Sequence, residues 1–423
     1  MDEQKTMDHQ EVSNSYRNFV LVMLTLVYVF NFIDRQLLVI LQESIKEELK
    51  LSDTQLGMLS GFTFAIFYVT MGIPIARLAD KGNRRNIVAV SLGLWSIMTG
   101  LSGMAMNFIH LLLARIGVGV GEAGGSPPAH AMISDYFPPG KRSTALSFYS
   151  TGIYFGMLVG FLMGGYLNQE LGWRTAFYVL GIPGVVFSFL FYALVKEPQR
   201  GATDISKSTT QEHSFFEVVK LLFAMPTFRF LSAATALHCF CIYGLLNWTP
   251  SFLARVHEMS KADIGVSLGL ILGITGAMGT FFGGYMTDRF GRTDRSNYMR
   301  LPAYFILISI PFVVGALFLQ NIVAVLICFG VSNFLYGSYL GPSINVAHML
   351  VPASLRALTS AILFFVLNLV GLGFGPLVVG MMSDLLTISF GVQSLRWAMS
   401  GVVIVSAVSV MMFFMGARRF TLL

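Results

Sequence analysis

Four ionisable side chains stand where an apolar chain has least reason to keep them: Asp34 and Arg35 in one hydrophobic stretch, Arg115 and Glu122 in another. A charge at mid-bilayer costs about 2.5–3.5 kcal/mol on insertion scales, so each of these needs a partner or a task. Arg115 and Glu122 are seven residues apart, close to two helical turns, and therefore share a helix face. If the two stretches run in opposite directions, a rise of about 1.5 Å per residue puts Asp34 at a depth between them, and all four can form one cluster. Two carboxylates and two guanidiniums neutralise each other, yet a carboxylate in an apolar cavity can take up a proton near physiological pH. Protonating Asp34 or Glu122 would free an arginine and rearrange the salt bridges. That is a bistable element which a proton and a second ligand can both bias, and Asp34, Arg35, Arg115 and Glu122 are the expected proton-coupling residues.

The elements that must hold them are membrane helices. Of 423 residues, 55% are hydrophobic and only 12% charged, against about 25% charged in an average soluble domain. Apolar stretches between charged or turn-rich breaks predict helices at 17–42, 54–79, 86–107, 109–136, 143–169, 175–196, 227–255, 261–287, 300–320, 322–350, 357–386 and 395–417. The expected fold is all-α and polytopic, with twelve transmembrane helices in two pseudo-symmetric six-helix bundles, 17–196 and 227–417. A tail (1–16), a linker (197–226, including Ser206-Lys207-Ser208-Thr209-Thr210) and a second tail (418–423) flank them, all on one side. Lys and Arg crowd that side, which makes it cytoplasmic. The acidic start of the chain lacks the basic n-region of a cleaved signal.

Internal repetition supports the division. Ala79-Asp80-Lys81-Gly82-Asn83-Arg84-Arg85 after the second helix corresponds to Thr287-Asp288-Arg289-Phe290-Gly291-Arg292 after the eighth. At a second constant offset, Pro128, Pro138 and Arg142 fall on Pro342, Pro352 and Arg356. On that alignment Arg115 becomes Phe329 and Glu122 becomes Tyr336, and no acidic residue lies deep in the second half. Ions needed only to knit helices together would recur in the mirrored half, so the asymmetry favours a coupling site over a structural one.

These paired acidic-basic loops resemble the loop signature of the major facilitator superfamily. Within it, Asp34-Arg35-Gln36, the amphipathic Glu43–Leu51 stretch and Arg115-Ile116-Gly117-Val118-Gly119-Val120-Gly121-Glu122-Ala123 resemble the spinster-like lipid-transporter branch. The resemblance implies secondary transport by rocking of one half against the other, with a lysophospholipid- or sphingolipid-like amphiphile as substrate. A multidrug or metabolite carrier, or an uncoupled lipid facilitator or channel, is the alternative. The glycine ladder Gly152, Gly156, Gly160, Gly164 and the pair Gly375-Pro376 incline the reading to antiport, although the superfamily's antiporter signature wants Gly-Pro where Gly156-Met157 stands.

Asp80, Arg84, Arg85, Asp288, Arg289 and Arg292, at cytoplasmic helix ends, are expected to form a gate. The expected substrate contacts are Arg35, Arg115 and Asn31 for the polar head, with Phe240, Tyr243, Trp248, Phe334, Tyr336 and Tyr339 for the tail. His238 and His348 read as packing residues. Gly265-Val266-Ser267-Leu268-Gly269 matches a nucleophile elbow, but it opens a helix and aligns with Gly57–Gly61, so no enzyme is expected. Cys239, Cys241 and Cys328 offer no ligand spacing. No metal, cofactor or nucleic-acid partner is expected beyond a coupling proton, and the chain reads as a monomer in a bacterial inner membrane.

Overall fold

The computed structural model describes residues 13–201, 215–352 and 355–420, and among them there are helices and turns but no strand. The helices are α1 (Asn14–Leu49), α2 (Asp53–Lys81), α3 (Arg84–Ser102), α4 (Phe108–Tyr136), α5 and α6 (139–171 and 173–194), α7 (Pro226–His257), α8 (Lys261–Gly291), α9 (Asn297–Phe318), α10 (Ile322–Met349), α11 (356–390) and α12 (Ser394–Phe420). Nine helices among the described residues are long and apolar enough to cross a bilayer. Two of these are double crossings, divided at Gly172 and at the turn Gly391–Gln393, and Arg84–Ser102 completes the twelve. Gly172 separates α5 from α6 with φ at 81°, a conformation that favours glycine.

Helix ends follow capping chemistry that hydropathy does not carry. Ser13 accepts from the Tyr16 amide and starts α1, which continues through the amphipathic segment to a left-handed Lys50. Ser52 and Gln55 form a reciprocal capping box at the start of α2. The segment expected as linker contains a helix, Phe215–Ala224, because Val218 and Leu222 bury their side chains there. The Ser206–Thr210 run, residues 1–12 of the first tail and 421–423 of the second lie outside the described residues.

Five of the spans read as continuous are interrupted, among them α4, which breaks at a turn over residues 123–125 between Phe108–Glu122 and Ser126–Tyr136. Turns of π-helix occupy Met58–Phe62 in α2, Ile271–Thr275 in α8 and Asn368–Phe374 in α11, and a 3-10 turn occupies Gly337–Tyr339 in α10. Such turns are common at functional sites. The glycine ladder of α5 lies along α1: a side chain at Gly156 would stand 2.7 Å from the Val29 carbonyl oxygen. Large apolar side chains such as Phe189, Phe281 and Ile388 point outward, as a lipid-facing surface requires.

Candidate transport site

The close α1–α5 seam fixes the face of α1 that carries Asp34 and Arg35, while Gly121 lets α4 approach α3, with the Trp95 amide 2.8 Å from where its Cβ would be. The four ions do meet. Arg35 Nε donates to Glu122 Oε2 at 2.7 Å, and Glu122 is fully shielded from solvent. The Arg35 guanidinium also lies over the rings of Phe32, Phe64 and Tyr68 at 5.2, 4.9 and 4.9 Å, and that of Arg115 over Phe64 at 5.3 Å. Phe64 thus carries both cations, a role with no sequence signal. Asp34, 1% exposed, lies beside the Thr99 hydroxyl and interacts electrostatically with Arg115 and Glu122.

Beside this cluster a cavity of about 380 Å³ lies between the halves. Arg35, Arg115 and Phe64 line it from the first half, and Tyr243, Tyr336 and Tyr339 from the second. Asp34 and Glu122 do not line it, whereas Arg35, which does, binds Glu122. Each helix interrupted by a π or 3-10 turn contributes to the wall: Ser60, Leu272, Asn368 and Gly337 all face it. Tyr154 bonds Thr280 across the halves at 2.5 Å, another pair that hydropathy could not single out.

Four expected substrate contacts lie elsewhere. Asn31 is buried behind the wall near Glu122. Trp248 is fully buried and donates to the Pro376 carbonyl at 2.8 Å, so its ring joins α7 to α11. Phe334 packs against Phe282 with ring centroids 5.2 Å apart and the rings tilted by 37°, within the second half, and the Phe240 carbonyl packs on Gly375. Concentration of aromatics in a helix does not reveal which face meets the cavity. His238 is buried between Tyr336 and Tyr339, its Nε2 3.2 Å from the Tyr336 carbonyl oxygen at the break in α10. His348 bonds Ser360 at 2.6 Å.

The gate expected at the termini end is assembled differently. Arg84 pairs with Asp135 at 2.5 Å and with Glu197, the first residue of the linker, at 2.7 Å, and Arg85 donates to the Tyr192 carbonyl, none of these contacts reaching the second half. Arg200 caps the end of α2 through the carbonyls of Ala79, Asp80 and Gly82. Asp288 accepts from Tyr298 at 3.3 Å and Arg289 donates to Tyr285 at 3.4 Å, again within one half.

Ties across the halves gather at the opposite end. Arg255 of α7 binds Glu43 of α1 at 2.6 Å and Asp53 of α2 at 2.7 Å. Asp53 also accepts from Lys46 and from Ser383 Oγ. Asp384 of α11 accepts from the amides of Asp53 and Thr54 at 3.0 and 2.8 Å, so one half caps a helix N-terminus of the other. Gln42 bonds the Asn247 carbonyl at 2.7 Å and Ser251 Oγ at 2.5 Å. Glycines close the same end in mirrored fashion: a Cβ at Gly57 would lie 2.5 Å from the Pro376 carbonyl, and one at its repeat partner Gly265 2.5 Å from the Phe161 carbonyl. The apparent nucleophile elbow is therefore a seam between α8 and α5.

A family model described as Major Facilitator Superfamily matches residues 24–373. The chain is 35% identical to an MFS-type efflux pump of Mycolicibacterium smegmatis over 93% of its own length and 90% of that protein's. It is 26% identical to protein spinster homolog 1 of Xenopus tropicalis, over 90% and 77% of the two chains. Among solved structures, a bacterial homolog to the human lysosomal transporter Spinster, in an inward-facing and unoccupied conformation, superposes with a TM-score of 0.89 at 32% identity, covering 97% of this chain and 98% of that one. With a twelve-helix repeat, a cavity between its halves and these likenesses, the chain belongs to the major facilitator superfamily, as a spinster-like integral membrane transporter and not an enzyme.

Proposed function

We propose that this transporter moves an amphiphilic, lipid-like anion such as a lysophospholipid or sphingolipid, coupled to protons, by alternating access. One observation carries the proposal: Arg35 lines the cavity and at the same time binds Glu122 behind it. An anionic headgroup that draws Arg35 or Arg115 toward the cavity leaves a buried carboxylate without its counter-ion, and such a carboxylate takes up a proton. By linkage the proton then favours the anion to the same degree, typically about 5–150-fold. Substrate and proton bind together, which gives cotransport, the opposite of the antiport toward which the glycine pattern leans. The aromatic wall of the second half accommodates the apolar tail.

In this reading the far-end ties of Arg255, Asp53 and Asp384 hold one state. The termini-end charges Asp80, Arg84, Arg85, Asp288, Arg289 and Arg292 close the other when the halves rock. Both termini are cytoplasmic in a bacterial inner membrane, and the monomer suffices because the cavity lies within one chain. The likeness to an efflux pump favours a second reading, a multidrug or metabolite carrier using the same site.

The test is uptake of labelled lysophospholipid into proteoliposomes with and without a proton gradient. Wild type is to be compared with Glu122→Gln, Asp34→Asn and Arg115→Ala. Gradient stimulation is expected in wild type and is expected to be lost in both carboxylate variants, while Arg115→Ala loses substrate saturation. Four identical responses would end the coupling proposal, and no uptake of lysolipid by a protein that exports a fluorescent dye would transfer the site to the second reading.

A further inference from the structure

The linker helix Phe215–Ala224 carries three kinds of surface on ten residues. Val218 and Leu222, four apart and 2% and 0% exposed, share the side that packs on α7 and on the start of α11. Phe216 and Phe223, seven apart, share a second side with Val219 between them. This side is apolar yet open, with Phe216 79% and Phe223 38% exposed. Glu217 and Lys220, three apart, make a third side that is polar and exposed. Leu221, 44% exposed, falls between the polar side and the buried one.

Neither water nor oil suits all three sides. Two phenylalanine rings turned to water forfeit apolar burial, and a helix about 15 Å long cannot cross about 30 Å of hydrocarbon. The boundary between water and oil suits each side. Neighbouring structure puts the helix at that level. The chain leaves helical geometry at Met225, with ψ at 117°, and re-enters it at Pro226 in α7, a membrane span. Across this turn Phe223 meets Phe228 edge-on, with ring centroids 5.4 Å apart. Cations gather here. Lys220, Arg229 near the start of α7 and Arg419 at the end of α12 are all exposed, and Glu217 is the one acidic residue between Phe215 and Arg229. A side chain at Gly416 would stand 3.1 Å from Phe230 Cβ, so the end of α12 lies beside the start of α7. An apolar side flanked by cations is the composition of a helix that rests on an anionic leaflet.

We infer that the linker helix lies along the termini-side surface of the bilayer, with Phe216, Val219 and Phe223 at the acyl-chain boundary and Lys220, Arg229 and Arg419 on the headgroups of anionic phospholipids. The leaflet itself then covers the open apolar side. Held on α7 and α11 from one side and in the leaflet from another, the helix fixes the depth of the second half in the membrane. Anionic phospholipid is thereby a ligand of the protein at a surface separate from the transport cavity, which none of these residues lines. The inference takes from the proposed function only which leaflet this is, and depends on neither the substrate nor the proton.

The experiment places a nitroxide on one introduced cysteine at a time, Phe216→Cys, Glu217→Cys, Val219→Cys, Lys220→Cys or Phe223→Cys, in the full-length protein with Cys239, Cys241 and Cys328 replaced by alanine. Collision with oxygen, which concentrates in lipid, and with a water-soluble nickel chelate is measured in nanodiscs of phosphatidylcholine with and without phosphatidylglycerol. Oxygen is expected to dominate at 216, 219 and 223 and nickel at 217 and 220. The oxygen-to-nickel ratio at 216 and 223 is expected to rise several-fold when phosphatidylglycerol is present. Lys220→Gln, Arg229→Gln and Arg419→Gln together are expected to remove that rise and keep the alternation. Should the cysteine-free chain fold poorly, Phe216→Trp in the otherwise native chain gives the same reading, through added fluorescence quenching by lipids brominated on the acyl chain. Nickel dominance at all five positions, or no added quenching of the tryptophan variant, would overturn the inference. Exclusion of both reagents from 216 and 223 would also overturn it, since a protein and not lipid would then cover that side. A pattern indifferent to phosphatidylglycerol would overturn the recognition of anionic headgroups.

Discussion

The two halves share one fold and divide the chemistry unequally. At the positions where α4 carries Arg115 and Glu122, α10 carries Phe329 and Tyr336, all four buried. Among the described residues, no Asp, Glu, Lys or Arg of the second half is buried, whereas Asp34, Asp53, Arg84, Arg115 and Glu122 are buried in the first. Since α10 packs without ions in the mirrored place, the ions of α4 are not what the fold needs. The difference teaches that the first half is the charged partner of a proton and the second an aromatic wall for an apolar body.

The comparison breaks most visibly if its central pair is disrupted. Glu122→Ala leaves the cavity-lining Arg35 without its carboxylate partner, expected to cost about 1.5–3 kcal/mol, and a thermal unfolding series in detergent should show the loss. Tyr336→Ala, at the matching position, is expected to shift unfolding through lost packing while gradient stimulation survives. Next in size, Arg255→Ala removes four cross-half hydrogen bonds to Glu43 and Asp53 at the far end. Spin labels at Lys50 and Glu258 should then report a longer-distance population in pulsed electron resonance; an unchanged distribution would mean that the glycine seams alone hold that end shut.

Those seams provide a sharper test of the symmetry. Gly57→Leu and Gly265→Leu place side chains against carbonyls 2.5 Å from the Cβ position in mirrored seams. Both should lengthen the same spin-label distance, to a similar extent. A response to one alone would show that the halves do not move as rigid mirror images. The smallest expected effect is that of Tyr336→Phe, which removes a 3.2 Å bond to Ser406 and should cost about 0.5–1.5 kcal/mol in stability with gradient stimulation retained.

Much of this was legible in the residues themselves. The cost of charge in an apolar stretch singled out Asp34, Arg35, Arg115 and Glu122, and helical spacing brought them to one depth. Repeat alignment placed Gly57 opposite Gly265 and exposed the asymmetry of α4 and α10. Partner choice was not legible: Asp34 and Arg35 are adjacent in sequence, and only side-chain direction decides that Arg35, not Arg115, binds Glu122. The π turns of α2, α8 and α11 escaped because hydropathy counts residues and not backbone hydrogen bonds. The far-end ties escaped for a different reason. Glu43, Lys46, Asp53, Arg255 and Asp384 sit at helix ends, where charges are ordinary, and their meeting depends on how two halves dock.

Proton movement itself is the most direct measure of whether buried carboxylates of the first half couple transport. Liposomes loaded with a pH-sensitive dye and carrying the wild-type protein are expected to acidify inside when lysophospholipid is added outside without an imposed gradient. Liposomes carrying Glu122→Gln are expected not to acidify while still taking up lipid down its gradient. Equal acidification by both proteins would contradict a proton carried on the Arg35–Glu122 element.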